Sequence, residues 1–105
     1  MIDTQMSKGV IDSIVLEIIR REETYGYKIV EELKFYGFYT IGEGTIYPIL
    51  QRLVKKGYIL GSYKKSSIGP KRKYYYITPL GRKSLEEFKR NWNDLSQAVE
   101  NVFER

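Results

Sequence analysis

The chain contains neither cysteine nor histidine. Without a thiolate or an imidazole there is no Ser-His-Asp or Cys-His nucleophile, and no ordinary zinc or copper site. With no cysteine, no disulfide argues for an oxidising compartment. Long apolar runs are missing as well. None approaches the roughly 18 residues of a membrane span, and Met1-Ile2-Asp3-Thr4-Gln5 lacks the basic-then-apolar layout of a secretion signal. The expected location is therefore cytoplasmic, with no membrane partner. The acids fall mainly on helix surfaces, as Glu22-Glu23, Glu31-Glu32 and Glu86-Glu87 do, and solvated faces account for them better than a catalytic carboxylate pair. No enzymatic activity, metal or cofactor is expected.

One further absence is local. After Glu43 the next acidic residue is Glu86, and residues 44 to 85 carry ten basic side chains. That stretch is +10, whereas the remainder, with eight basic residues against thirteen acidic, is −5. A few lysines would be read as a solvated surface. An acid-free run of this length is better matched to a polyanion such as nucleic acid.

At 105 residues, with 42% of them apolar, the chain has material for one modest core. Val10, Ile11, Ile14, Val15, Ile18 and Ile19 repeat at helical spacing and end in Arg20-Arg21-Glu22-Glu23, which predicts a first helix capped by Ser7 or Thr4. A second helix is expected after Thr24, with Ile29, Val30 and Leu33 inward and Gly37 near its end. The very short link between the two favours a tight corner. A third helix is predicted over about Glu43 to Lys56. Its buried face is Ile46, Ile49, Leu50, Leu53 and Val54, and Gly57 suits the left-handed residue that ends it. Pro48 is tolerable only near the first turn, so the helix should begin just before it. Thr45, Tyr47, Gln51, Arg52 and Lys55 lie along the opposite, exposed side.

The period then changes to that of strands. Tyr58-Ile59-Leu60-Gly61-Ser62-Tyr63 and Lys73-Tyr74-Tyr75-Tyr76-Ile77 read as a hairpin joined by the basic segment Lys64-Lys65-Ser66-Ser67-Ile68-Gly69-Pro70-Lys71-Arg72. Alternation puts Tyr74 and Tyr76 on one face and Tyr75 on the other. Thr78-Pro79 opens a last helix with a cap residue followed by proline at the first position. Along that helix Leu85, Phe88, Trp92, Leu95, Val99 and Val102 are spaced three, four, three, four, three, a heptad seam. Running from Pro79 to near Glu104, the helix would outreach a three-helix core, so part of the seam needs another partner. The expected fold is mainly α with a small antiparallel β-hairpin. It is a winged helix-turn-helix over residues 1–78 with a C-terminal dimerisation helix over 79–105 packed on the same core.

Three stretches, Tyr25-Gly26-Tyr27-Lys28-Ile29, Gly44-Thr45-Ile46-Tyr47-Pro48-Ile49-Leu50-Gln51-Arg52-Leu53 and Gly57-Tyr58-Ile59, resemble the PadR family of bacterial transcriptional regulators. The stretch Gly69-Pro70-Lys71-Arg72-Lys73-Tyr74-Tyr75-Tyr76-Ile77-Thr78-Pro79-Leu80-Gly81 is similar to that family's most characteristic segment. The likeness covers roughly residues 8 to 92, with its motifs in the same order. It implies a dimeric winged-helix repressor of double-stranded DNA acting at an inverted repeat, often in its own or a neighbouring promoter. Carried over by motif, Thr45, Tyr47 and Gln51 would lie on the recognition helix, and Tyr27 and Lys28 would approach phosphate. Lys71, Arg72 and Lys73, with Lys64 before them, would form the basic wing. The single last helix resembles the short subfamily, some of whose members hold planar aromatic molecules at the dimer interface. Phe88 and Trp92 would serve there, although packing alone explains a heptad tryptophan. Two other readings compete. Ten tyrosines suit a winged-helix module for protein contacts, against which the acid-free stretch argues. An RNA-binding role would need an aromatic platform beyond Tyr74-Tyr75-Tyr76.

Overall fold

The apolar stripes legible in the chain meet in one cluster. The computed structural model describes residues 2–65 and 69–105. Its elements are α1 (Thr4–Ser7), α2 (Ile11–Arg21), β1 (Thr24–Tyr25), α3 (Gly26–Phe35), α4 (Glu43–Lys55), β2 (Ile59–Lys64), β3 (Arg72–Ile77) and α5 (Pro79–Phe103). Val15, Leu16 and Ile19 of α2 pack with Ile29 and Leu33 of α3 and with Ile46, Ile49, Leu50 and Leu53 of α4. Ile59 and Tyr75 close the cluster from the sheet and Leu85 from α5. Each helix contributes residues three and four apart because those positions share one face.

The hairpin pairs Ile59 with Ile77 through to Lys64 with Arg72. A third strand lies on its other side: β1 pairs antiparallel with β3, Thr24 opposite Tyr75 and Tyr25 opposite Tyr74, so the order is β1-β3-β2. Helices α2, α3 and α4, followed by the β2–β3 hairpin with β1 on the far edge of β3, form a winged helix-turn-helix. The centre of the expected hairpin turn, Ser66-Ser67-Ile68, lies outside the described residues. Among the described residues, no helix is long and apolar enough to cross a membrane.

Several local expectations are corrected. Neither Thr4 nor Ser7 caps α2, because both belong to the separate turn α1, which Asp3 caps by accepting from the Met6 N–H at 3.0 Å. The Thr4 hydroxyl instead meets that of Thr40 at 3.0 Å, and α2 begins at Ile11 after Val10, which gives it no side-chain cap. Val54 is exposed, not buried. At about 100° per residue it stands roughly a quarter-turn from the centre of the Ile46–Leu53 stripe. Pro48 sits in the second turn of α4, inside a helix that starts at Glu43. The Gly44 carbonyl therefore has no N–H four residues on to accept from, and Gly44 is exposed, where water can serve.

The junction before α5 joins four elements. Thr78 Oγ1 donates to the Gly57 carbonyl at 2.6 Å and accepts from the Gly81 N–H at 3.1 Å. The Thr78 N–H donates to the Tyr58 carbonyl at 3.0 Å. Gly57, with φ +79°, ends α4 in the left-handed conformation. Gly81 lies so close beneath that a Cβ there would stand 2.2 Å from the Tyr58 carbonyl oxygen and 2.8 Å from Ile77 Cγ1. Backbone cannot yield as a side chain can. Gly81→Ala is therefore expected to destabilise the fold by about 1–3 kcal/mol or more, read as a lowered midpoint in thermal or urea unfolding. Leu80→Ala, whose side chain is half exposed, should lower it far less.

Candidate nucleic-acid interface

The side of α4 opposite its core stripe carries Thr45, Tyr47, Gln51, Arg52 and Lys55, all exposed. Two of these are not free ends. Arg52 makes a two-pronged ion pair with Asp12 of α2, at 2.9 and 3.0 Å, and the Asp12 hydrogen bond raises the guanidinium pKa. Arg52 thereby ties α4 to α2. Tyr47 lies across the start of α3: a Cβ on Gly26 would be 3.3 Å from the Tyr47 ring and hydroxyl. The glycine of Tyr25-Gly26-Tyr27 thus makes room for an aromatic of α4, and beside it Tyr27 is exposed and Lys28 half-buried. Uncharged hydrogen-bonding groups remain outward at Thr45 and Gln51, of the kind that reads base edges.

The wing strands hold their cations over tyrosine rings. The Arg72 guanidinium lies 4.5 Å from the centre of Tyr25, and Lys64 lies 5.4 Å from Tyr74. Lys73 lies 5.6 Å from Tyr63 and 5.8 Å from Tyr75. Such contacts favour a cation over the ring face and restrict where it can roam. Tyr25 and Tyr74 also meet edge to face at 5.2 Å. Lys71 is exposed at the hairpin's end. Nothing local in the chain marks Tyr25 and Tyr63 as supports for these cations. Thr24-Tyr25 is too short a strand for alternation to reveal, and only its β-branched and aromatic residues hint at it. Two lysines are ion-paired: Lys28 Nζ to Glu22 at 3.1 Å and Lys64 Nζ to Glu23 at 2.6 Å. The Glu22 hydrogen bond raises the Lys28 pKa.

The seam of α5 divides in two. Leu85, expected at a dimer interface, is only 6% exposed and belongs to the chain's own core. Phe88 is half-buried, Trp92 is 47% exposed and Val102 71%, with Leu95 and Val99 exposed between them. The helix runs about 37 Å at ~1.5 Å per residue, and its second half has left the core behind. Between α2 and α5 lies a cleft of about 660 Å³. Ile14, Phe38, Phe88 and Trp92 give it apolar walls, and Arg20 and Glu86 are among its charged lining. Among the described residues, no group of three or more potential metal ligands occurs.

Residues 15–87 match the transcriptional regulator PadR-like family. A PadR-like transcriptional regulator from Bacillus cereus of known structure is 48% identical, with a TM-score of 0.87 over 95% of this chain and 97% of that one. A Streptococcus transcriptional regulator is 44% identical, with a TM-score of 0.85 over 95% and 98%. A transcriptional regulator from Mycobacterium tuberculosis is 36% identical over 73% of this chain and 70% of its own length.

Tyr75 gives this surface a measurable signature. Burial chiefly, and then the neighbouring Tyr47 and Tyr63 hydroxyls, push its phenol above the ordinary value, which is about 10. A pKa raised on folding means that the folded state holds the proton more tightly. The resulting stability is fully present below the unfolded value and is lost as pH rises through the folded one. Tyr75→Phe should remove a component above the ordinary phenol value from an alkaline absorbance titration, together with this residue's share of the alkaline loss of stability.

Proposed function

The chain belongs to the PadR-like family of transcriptional regulators, and from that premise we propose that it is a homodimeric repressor of an inverted-repeat operator in its own or a neighbouring promoter. Membership makes it a DNA-binding regulator and not an enzyme. What supports the finer reading is the division of labour across one surface. The outward side of α4 presents Thr45 and Gln51, uncharged and able to donate and accept, as a helix lying in the major groove requires. Lys71, Arg72 and Lys73 stand on the wing and Tyr27 and Lys28 at the start of α3, where phosphate contacts fix register without reading sequence. Tyr47 bridges these parts, packed at Gly26 and free on its other side.

Dimerisation accounts for the second half of α5, in keeping with residues 79–105 as the dimerisation element. Trp92, Leu95, Val99 and Val102 form an apolar seam that stays exposed among the described residues, and a second copy of the helix offers the complementary seam. The cleft beside Phe88 and Trp92 supports a small aromatic effector that releases the repressor, because apolar walls with a few charged groups suit such a molecule.

The assignment of roles separates under salt. A dimer touching 6–10 phosphates should lose roughly 10³- to 10⁵-fold in affinity between ~50 and ~200 mM salt. Lys71→Ala with Arg72→Ala should weaken operator and scrambled duplex alike and flatten that dependence. Gln51→Ala should cost about 1–3 kcal/mol on the operator and leave the scrambled duplex untouched. Wild-type protein that ignores duplex DNA even at low salt would leave a protein-contact module as the better reading. Light scattering should return twice 12.4 kDa for the native chain and a single copy for Leu95→Glu with Val99→Glu. A native monomer at micromolar concentration would end the two-half-site picture.

A further inference from the structure

Two of the lysines assigned above to the DNA face are already occupied. Glu22 and Glu23 are consecutive residues between α2 and β1, and each takes one lysine from a different DNA-facing element. Glu22 holds Lys28 of α3 and Glu23 holds Lys64 of β2. The Lys64 ammonium lies over the Tyr74 ring as well as against Glu23, so it is folded back across the sheet. No acid occurs from residue 44 to residue 85. The fold therefore brings carboxylates into the basic field from outside it.

We propose that Glu22 and Glu23 act as a built-in stand-in for DNA phosphate, an autoinhibitory pair that weakens the grip on every duplex without altering sequence preference. The proposal rests on the DNA-binding reading above. A carboxylate and a phosphate oxygen present the same thing to an ammonium, an anionic acceptor. Its three N–H donors could reach both, but two anions gathered on one cation repel each other, so the carboxylate competes with the phosphate. All four side chains are between a third and about seven-tenths exposed, which makes the pairs weak and exchangeable. When a duplex approaches, each lysine can turn to phosphate, and the carboxylate it leaves behind repels that phosphate. Phosphates occupy the same places in every sequence, so the penalty is uniform. The exchange also reduces net ion release, since an internal pair must be broken for each phosphate neutralised.

The test compares Glu22→Gln, Glu23→Gln and the double variant with the native full-length chain. Each is titrated by fluorescence anisotropy against a scrambled duplex and the promoter fragment upstream of its own gene, at several concentrations between ~50 and ~200 mM salt. Exposed pairs of this kind correspond to roughly 1.4- to 5-fold each, so the double variant should bind roughly 2- to 25-fold more tightly per protomer. The gain should be equal on both duplexes, and the salt slope should steepen by up to ~0.9 for each phosphate newly engaged. The Glu22→Gln gain should vanish in a Lys28→Ala background, and the Glu23→Gln gain in Lys64→Ala. Glu87→Gln with Glu100→Gln on α5, both exposed, changes the net charge equally and should leave affinity nearly unchanged. Native protein that binds neither duplex defeats the DNA-binding reading itself. Native protein that binds while the double variant binds no tighter, or no tighter than the α5 control, overturns the proposal alone.

Discussion

A single threonine hydroxyl holds the molecule's parts at fixed angles. Thr78 Oγ1 has one proton to give and lone pairs to receive with, and it uses both, donating to the Gly57 carbonyl and accepting from the Gly81 N–H. Gly57 is where α4 ends, and Gly81 is in the first turn of α5. Between them the Thr78 backbone also takes the Tyr58 carbonyl at the entrance to β2. The exit of α4, both strands of the hairpin and the start of α5 are thus bonded to one residue. The missing Cβ of Gly81 permits this approach, which brings backbone against backbone. Movement of α5 cannot leave α4 indifferent while these bonds persist.

The second constraint is electrostatic. The cations of the hairpin are not loose hairs on a strand. Arg72, Lys64 and Lys73 each lie over a tyrosine, and Arg52 is clamped by Asp12. Long side chains lose conformational freedom when they bind, and those already confined lose less of it then. Tyrosine is accordingly abundant here in two capacities. Tyr75 is buried and completes the core from the sheet, whereas Tyr25, Tyr63 and Tyr74 support charge.

What was legible in the chain was whatever depends on near neighbours. The start of α5 could be read from Thr78-Pro79 because a cap and a first-position proline act within one turn. The face of α4 could be read from the spacing of Ile46, Ile49, Leu50 and Leu53, and the end of that helix from Gly57. β1 escaped because two residues carry no period, and the strand exists only by pairing with Tyr74 and Tyr75 about fifty residues later. The heptad spacing of α5 was visible, but not where the chain's own core stops covering it. Leu85 falls inside that core and Trp92 is left half exposed, a fact of tertiary packing that spacing along one helix does not carry. The expected DNA-facing residues were legible as types, whereas their present partners were not. Nothing local links Lys64 to Glu23 or Arg52 to Asp12, forty residues apart.

Pro48 leaves a mechanical mark on α4. With no N–H to give to the Gly44 carbonyl, the hydrogen-bond ladder of the helix lacks one rung just inside its N-terminal end. The first turn, which carries Thr45, is consequently coupled to the rest by the chain itself and by the buried Ile46 more than by a continuous ladder. Bending there breaks fewer bonds than bending anywhere further along. The half of α4 beyond Pro48 is the opposite case, pinned by Leu50 and Leu53 in the core and by Arg52 to α2. The helix is therefore graded in compliance: its leading tip can conform to a contour while its shank keeps station.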